Sequence, residues 1–242
     1  MHAMACVEPP DAHDASPFVP SHASLELLRD ASRACRGCPL YARATQTVFG
    51  EGTRGATIFI VGEQPGDRED VEGRPFVGPA GAVLDAALAR ANVSRVETYV
   101  TNAVKHFKWS PRGKRRMHTK PDTREVGACR PWLDAELRAV GPRVVVCLGA
   151  TAAQAFLGSR FRITAAFGQT LEGPGGIPLV VTYHPSAILR MQTHEEREAG
   201  RAALVAALAR AKALVREPPE SAAGRGRTPP LPRANRRSGR GA

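Results

Sequence analysis

The sequence predicts an α/β fold: a three-layer αβα sandwich with a central, mainly parallel, four-stranded sheet. Two observations predict it. Four short runs are rich in Val, Ile and Leu, as strands buried on both faces are, and segments with helical spacing of apolar residues lie between them. Strands that alternate with helices pair in parallel and carry helices on both faces. A chain of 242 residues is long enough for one such domain to bury its own core.

The first half of the chain should contribute two helices and two strands. Residues 24–34 carry three leucines in an otherwise polar segment, which predicts a short helix. Residues 57–61 (TIFIV) form a continuous apolar run and are interpreted as a buried strand. Residues 78–92 have leucines four positions apart and indicate a helix, and residues 98–104 are interpreted as the second strand.

The second half repeats this alternation. Residues 123–140 carry apolar side chains at helical spacing and predict a helix. Residues 143–148 (RVVVCL) are interpreted as the third buried strand, and a helix is expected over 150–157. Residues 179–182 (LVVT) predict the fourth strand, and the alanine-rich segment 195–215 predicts a long closing helix.

The composition indicates one domain with an extension at each end. Residues 1–20 are rich in Pro, Ala and Asp and should be disordered, residues 21–216 should form the domain, and residues 217–242 should be a basic disordered tail. The net charge of +11 and the pI near 10.2 indicate a polyanionic partner such as nucleic acid. The tail is either a solubilising segment or a non-specific DNA-binding arm.

No segment has the ~20 consecutive apolar residues of a membrane span. The N-terminus also lacks the charged-then-apolar pattern of a signal peptide. We therefore expect a cytoplasmic protein with reduced thiols, no membrane partner and a monomeric state.

Polar loops follow three of the predicted strands. The first strand is followed by GEQPGDRED, the second by KHFKWSPRGKRRMH and the fourth by HPSAIL. Because open parallel sheets bind their ligands at the carboxyl ends of the strands, we expect the three loops to converge on one edge and form a site there.

Four cysteines outside the N-terminal extension indicate a metal site. Cys35 and Cys38 form a Cys-x2-Cys pair, Cys129 lies in a predicted helix, and Cys147 lies near the end of a predicted strand. Thiolates in a reducing compartment favour zinc or an iron–sulfur cluster, and the residues alone leave these two open. Alternatively, Cys129 and Cys147 are ordinary buried thiols.

Eight segments, spread over about residues 35 to 190, carry a resemblance to a known family. They are CRGCPLY, GEQPG (62–66), GRPFVGPAG, TNAVKHF, GKRRMH (113–118), ACRPWL, VVVCLGATAA and HPSAIL. In this order they resemble the iron–sulfur uracil-DNA glycosylases of family 4, and within them the UdgX group. The insert ending in His118 is the hallmark of that group, which commonly reads KRRIH; Met117 replaces the Ile.

The resemblance implies a cofactor, a substrate and a fate for that substrate. The cofactor would be a structural 4Fe–4S cluster held by Cys35, Cys38, Cys129 and Cys147. The substrate would be uracil-containing DNA, with single-stranded DNA preferred. The UdgX group implies that the enzyme excises uracil and then stays covalently attached to the abasic sugar after a single turnover.

The resemblance also implies a uracil pocket. Phe76 would stack on the base, unless it is only a core aromatic. Asn102 would read uracil O4 and N3–H together, since its amide both donates and accepts; the alternative is an Asn that caps a strand end. The backbone of Gln64 and the segment that begins at Gly62 would bring main chain close to the base, where side chains would block it.

The implied catalytic residues are histidines with acidic support. His184 would hydrogen-bond uracil O2 and stabilise the leaving anion. His118 would attack C1′ and form the stable adduct, and Glu63 would orient its ring. Asp67 would give weaker polar support, although it is equally well a solvated carboxylate at a helix start.

Basic residues beside His118 should contact DNA phosphates. These are Lys114, Arg115 and Arg116, and Ser186 is a further candidate for phosphate contact. Two other functions remain open at this point. One is an ordinary multi-turnover uracil-DNA glycosylase in which water attacks the sugar. The other is a non-catalytic DNA- or nucleotide-binding module with a structural metal.

Overall fold

The computed structural model describes residues 13–163 and 166–216, which form a three-layer αβα sandwich. The strands are β1 (Ile58–Gly62), β2 (Thr98–Asn102), β3 (Trp109–Arg112), β4 (Arg115–His118), β5 (Val144–Leu148), β6 (Thr170–Glu172) and β7 (Pro178–Thr182). The helices are α1 (Leu25–Ser32), α2 (Asp67–Glu72), α3 (Pro79–Arg90), α4 (Thr123–Val140), α5 (Ala150–Leu157), α6 (Pro185–Leu189) and α7 (His194–Arg216). The α/β fold class is confirmed.

The central sheet has the strand order β2-β1-β5-β7-β6. The first four strands are parallel, and β6 joins β7 as an antiparallel edge strand. Gly62 pairs with Asn102, Val61 with Cys147, and Leu148 with Thr182, so the carboxyl ends of the four parallel strands lie at one edge. The loops that follow them therefore meet there, as expected.

Helices cover both faces of the sheet. On one face, α3, α6 and α7 bury Leu84 and Leu204 against the strands. On the other, α4 and α5 bury Leu133 and Ala152. A third cluster joins α1 to the outer side of α4 around Trp132. Every residue of β1, β2 and β5 is buried, and β1 and β5 are accordingly apolar throughout, with no alternation of polar and apolar residues. Strand β2 differs, because it also buries the polar side chains of Thr98, Thr101 and Asn102.

The structure adds elements that the sequence did not predict. The edge strand β6 is only three residues long, so the sheet has five strands, four of them parallel. The two-stranded hairpin β3–β4 lies outside the central sheet and is mostly exposed, so no apolar periodicity marked it. Helices α2 and α6 occupy segments that we interpreted as loops.

The boundary of the N-terminal extension requires correction. Residues 13–20 belong to the packed structure: Ala15 is 2% exposed, and its N–H donates to the Ala128 carbonyl of α4 at 2.9 Å. These contacts are made to a helix more than one hundred residues away, so the local composition did not reveal them. Residues 1–12 and the expected tail 217–242 lie outside the described residues.

Among residues 13–163 and 166–216, none of the helices has both the length and the apolar character that crossing a bilayer requires.

Candidate active site

A cavity of about 550 Å³ opens at the carboxyl ends of the parallel strands. It brings together residues from all three loops that the sequence singled out. The predicted site residues that line it are Glu63, Gln64, Phe76, Asn102, His118, His184 and Ser186. The structure also places Thr151 and Arg190 in its wall. Thr151 lies in the segment VVVCLGATAA and Arg190 follows HPSAIL, but the sequence analysis assigned neither residue to the site.

Gly62 makes room for two of the predicted uracil-binding side chains. A Cβ at this position would lie 2.3 Å from Asn102 Oδ1 and 2.7 Å from the Phe76 ring, closer than atoms can approach. Asn102 is 2% exposed, and its Oδ1 has no hydrogen-bond partner among the described residues. Because an unpaired buried acceptor is costly, this atom is available for a donor on a bound ligand.

The backbone at Phe76 is strained. Its φ is +57°, in the left-handed region that a bulky residue rarely adopts. The start of α3 packs tightly against it, since a Cβ on Gly81 would lie 1.8 Å from the Phe76 carbonyl oxygen. Strain of this kind costs about 1–3 kcal/mol and gathers at functional sites. The ring serves two purposes here, because it belongs to the core cluster and also forms part of the cavity wall.

His184 is held in one tautomer. It precedes α6 as its N-cap, and its Nδ1 accepts the backbone N–H of Ser186 at 3.1 Å. Burial, with a smaller contribution from Arg190, lowers the pKa of His184 to about 4, so the ring is neutral near pH 7. With Nδ1 acting as an acceptor, the single ring proton lies on Nε2. The Ser186 hydroxyl lies 2.8 Å from the same Nδ1, and its predicted phosphate contact stays a prediction.

His118 ends β4 and lies against Glu63. The distance from His118 Nε2 to Glu63 Oε1 is 3.4 Å, and about half of the His118 side chain is exposed. The other carboxylate oxygen, Glu63 Oε2, accepts a hydrogen bond of 2.5 Å from the Thr151 hydroxyl. Burial is the main cause that lowers the pKa of His118; Arg190 lowers it further, while Glu63 opposes the shift. The imidazole is therefore neutral near pH 7.

Arg116 anchors the hairpin to α2. Its guanidinium lies 2.6 Å from Asp67 Oδ1 and 2.6 Å from Asp70 Oδ2, and Asp70 is fully buried. Asp67 is thus paired with Arg116, and Arg116 is paired with both carboxylates of α2. The predicted phosphate contact of Arg116 stays a prediction. Lys114 and Arg115, at the turn of the hairpin, are exposed.

The Gln64 side chain joins the two ends of the hairpin. Its Nε2 donates to the carbonyls of Lys108, just before β3, and Thr119, just after β4. Its Oε1 accepts the Lys108 backbone N–H at 2.9 Å. The sequence reasoning assigned only the Gln64 backbone to the site, whereas the side chain fixes the strand that carries His118.

Three of the four predicted metal-ligating cysteines lie together. Cys35, Cys38 and Cys129 are buried in one cluster with Trp132. The Trp132 indole donates to Cys35 Sγ at 3.2 Å, and the Lys105 backbone N–H donates to Cys129 Sγ at 3.3 Å. Burial raises the pKa of Cys38 to about 11, and Cys35 is close enough to contribute.

The placement of Cys147 contradicts its prediction as the fourth ligand. It is fully buried on β5, in register with Val61 and Val181 of the neighbouring strands, and belongs to the core cluster beneath α4 and α5. Burial alone raises the pKa of its thiol, without a contribution from another cysteine. Its direction is fixed by its place on the strand, which sequence spacing does not show.

His106 is a residue that the sequence reasoning missed. It follows Lys105, whose N–H contacts Cys129, and it is 4% exposed. Burial lowers the pKa of His106 to about 4, so its ring is the neutral imidazole that binds metals. Three thiols and one imidazole are a donor set that fits an iron–sulfur cluster or zinc. Within the described ranges, no three His, Cys, Asp or Glu side chains already stand in a metal-binding arrangement.

A buried ion pair lies between the cysteines and Asn102. Lys105 Nζ is 2.5 Å from Glu136 Oε2, and both side chains are at most 1% exposed. The same Nζ donates to the Asn102 carbonyl at 2.8 Å and to Thr101 Oγ1 at 2.7 Å. Lys105 therefore contacts both the end of β2 and, through its backbone, Cys129.

Comparisons with known proteins show which family this chain resembles. A family model described as "Uracil DNA glycosylase superfamily" matches residues 49–209. A type-4 uracil-DNA glycosylase of Thermotoga maritima is 37% identical over 174 residues, which is 72% of this chain and 87% of that protein. A type-4 uracil-DNA glycosylase of Pyrobaculum aerophilum is 36% identical over 173 residues, 69% of this chain and 85% of that protein.

Proposed function

Because the chain belongs to the uracil-DNA glycosylase superfamily, we propose that it excises uracil from DNA and then joins His118 covalently to C1′ of the abasic sugar in a single turnover. The observation that carries this proposal is one cavity that holds both the Asn102 Oδ1, which has no partner in the described part of the chain, and a neutral His118 that lies against Glu63. The first suits a flipped pyrimidine, and the second is an available nucleophile.

Recognition begins with a uridine that leaves the base stack, which costs a few kcal/mol. The free Oδ1 of Asn102 accepts the uracil N3–H, and its amide nitrogen donates to O4. Cytosine presents the opposite pattern and would leave both groups unpaired. Stacking on Phe76 contributes about 1–3 kcal/mol, which offsets the cost of flipping.

Cleavage places negative charge on uracil. The C1′–N1 bond breaks and its electron pair stays with the base, while positive charge develops on the sugar. The proton on His184 Nε2 donates a hydrogen bond to uracil O2 and stabilises the anion, which then takes a proton from solvent. The neutral ring is the suitable donor because its Nδ1 stays occupied by the Ser186 N–H.

Capture uses the ring nitrogen of His118 that does not face Glu63. With its N–H directed at the carboxylate, the ring presents a lone pair on the other nitrogen. That lone pair forms the new bond to C1′, and the resulting imidazolium then gives its N–H proton to Glu63 or to solvent. The imidazole is held beside the sugar, and proximity of this kind favours it over water.

A conventional multi-turnover glycosylase is the second candidate. It is favoured by the similarity to type-4 enzymes and by the exposure of about half of the His118 side chain, which lets water approach the same carbon. The two candidates share uracil recognition and bond cleavage. They differ only in whether nitrogen or water bonds to C1′.

The experiment that separates them uses a uracil-containing single-stranded oligonucleotide and a denaturing gel. Capture gives a band that remains shifted after heating, whereas turnover gives free abasic DNA. His118→Ser should abolish the shifted band while uracil release continues. A heat-stable adduct with His118→Ser would show that the nucleophile is misassigned, and wild-type protein that releases no uracil would favour a binding module.

We further propose a structural 4Fe–4S cluster held by Cys35, Cys38, Cys129 and His106. Two observations support this donor set: the three thiols lie in one buried cluster, and the buried neutral imidazole of His106 follows Lys105, whose N–H contacts Cys129. When bound, the cluster would stabilise the fold and take no part in the bond changes at C1′. Equal amounts of iron and acid-labile sulfide should be found, and Cys147→Ala should retain them while Cys38→Ala loses them. Stoichiometric zinc without sulfide would contradict the cluster.

DNA contacts outside the cavity complete the proposal. Lys114 and Arg115 are exposed at the hairpin turn, where their charges suit phosphate oxygens on either side of the uridine. We propose single-stranded DNA as the preferred substrate, a monomeric enzyme and a cytoplasmic location.

A further inference from the structure

A second cavity, of about 540 Å³, adjoins the candidate active site. It lies between the N-terminal half of α4 and helix α5, and we call it the α4–α5 groove. Lys120 and Thr151 line both the groove and the active-site cavity, so the two spaces meet at these residues. A polymeric ligand that extends out of the active site on this side would therefore enter the groove directly.

The surface of the groove suits a planar, partly polar ligand. Pro121, Val126 and Ala155 contribute apolar atoms to it. Polar side chains that can donate and accept hydrogen bonds lie beside them; these are Thr123, Thr151, Gln154 and Ser159. Nucleotide bases have apolar faces and polar edges, and therefore match a surface of this composition.

The charge around the groove is positive. Three exposed cations lie in its wall or next to a lining residue in the chain: Lys120, Arg124 and Arg160. Within the described residues, none of the three has an acidic partner. The charged pairs in the groove are already neutralised: Arg130 lies 2.7 Å from Asp134, and Asp122 lies 3.5 Å from Lys108. The uncompensated charge favours a polyanion.

We propose that the α4–α5 groove binds the DNA strand next to the flipped uridine, as an unpaired segment with its phosphates at the basic rim and a base on the apolar surface. The inference rests on the proposed uracil excision in the neighbouring cavity. The occupant is single-stranded, because a paired base keeps its faces stacked within the duplex and cannot lie on Val126 and Ala155.

Gly127 allows the groove to be filled without disturbing the fold. It lies in α4 and lines the groove, and a Cβ there would meet no atom within 4 Å. Gly127→Leu should therefore fold and occupy the space, and Gly127→Ala is the matched control that adds little volume. Both should also favour the helix slightly, since glycine is a weak helix former.

The first measurement compares two single-stranded substrates: a uridine with one flanking nucleotide on each side, and a long oligonucleotide. Gly127→Leu should weaken binding of the long one by about tenfold, the order expected for losing contact with one base. Its reaction with the short substrate should match wild type, and Gly127→Ala should match wild type on both. If Gly127→Leu bound the long substrate as tightly as wild type does, the proposal would be overturned. If Gly127→Leu weakened binding of a uracil-containing duplex as much as binding of the single strand, the conclusion that the occupant is single-stranded would be wrong.

The second measurement tests the charge. Lys120→Ala should lower the slope of log affinity against log salt by about 0.7, the value for one phosphate of a single strand. Arg138→Ala removes the same charge from the exposed far end of α4 and should leave the slope unchanged. Equal slopes for both variants would exclude a phosphate contact at Lys120. A wild-type protein that fails to release uracil from either substrate would instead refute the proposed function itself.

Discussion

The proposed uracil site depends on the small size of Gly62, which lies against Asn102 and Phe76. The missing Cβ of Gly62 leaves the space into which the Asn102 amide and the Phe76 ring extend. The Asn102 acceptor is left unpaired within the described residues, at a cost that a bound base would remove. Packing therefore positions these three residues, and it leaves one acceptor free for a ligand.

The first prediction concerns the pH dependence of capture. The pKa of His118 lies below the ordinary value of about 6.5 for histidine, chiefly because of burial. A group with a lowered pKa stays neutral to lower pH, and only the neutral ring has the lone pair that forms the bond. The rate of adduct formation should thus be constant above neutrality and should fall with a midpoint below about pH 6.5.

The control is uracil release by His118→Ser over the same pH range. His184 has a pKa of about 4 and keeps its neutral form through this range. Release should therefore continue at pH values where adduct formation by the wild type has already declined. A capture rate that rises as the solution becomes more acidic would be inconsistent with a neutral imidazole nucleophile.

At the scale of elements, the hairpin β3–β4 decides where His118 stands. The hairpin lies outside the central sheet, and its strands are mostly exposed. Its position depends on side-chain contacts: Arg116 with Asp67 and Asp70, and Gln64 with both ends of the hairpin. Loss of one such contact should move His118 relative to a uracil pocket that stays intact.

The second prediction therefore concerns Arg116. The double variant Arg116→Met/Asp70→Asn removes the ion pair without leaving an unpaired charge buried at Asp70. Displacement of a reacting group by an ångström can slow a reaction by about 100-fold. We expect adduct formation to slow by that order, with a smaller effect on uracil release, measured as the ratio of adduct to free abasic DNA in one time course.

Arg115→Met is the matched control, because Arg115 lies on the same strand and is exposed. It should leave the ratio of adduct to free abasic DNA near that of wild type, although DNA affinity falls. If Arg116→Met/Asp70→Asn kept the wild-type ratio, the hairpin would be held by other contacts.

At the scale of the whole molecule, one buried charge pair connects the parts of the site. Lys105 and Glu136 lie between the cysteine cluster and the end of β2. Glu136 also accepts hydrogen bonds from the hydroxyls of Tyr99 and Thr101 and from the backbone N–H of Gly50. The pair is thus fully hydrogen-bonded, which is the condition for a buried ion pair to be tolerated.

The third prediction concerns this pair. Lys105→Met leaves the Glu136 carboxylate buried without its cation and should lower the free energy of unfolding by about 3–5 kcal/mol. The double variant Lys105→Met/Glu136→Leu also removes the unpaired charge, and it should recover most of the lost free energy of unfolding. The measurement is denaturant unfolding of the protein as purified. If the double variant were no more stable than Lys105→Met, packing rather than charge would account for the effect.

Local sequence determined those features that depend on neighbours in the chain. Helix α4 begins and ends at the expected residues because its signals are local: Asp122 accepts the N–H of Glu125, the Glu125 carboxylate accepts the N–H of Asp122, and Gly141 adopts the left-handed conformation that ends the helix. The parallel direction of the strands also follows from the alternation, so the loops that carry Glu63 and His184 were expected to meet at one edge.

Only the tertiary structure decided which distant residues become neighbours. It separated Cys147 from the other cysteines, brought the backbone N–H of Lys105, the residue before His106, to Cys129, and gave Arg116 two acidic partners on α2. It also brought the Thr151 hydroxyl to Glu63, 88 positions earlier in the chain. Periodicity and motifs describe which face of an element is buried, but not which element packs against it. Contacts that join different elements therefore appear only once the chain is folded.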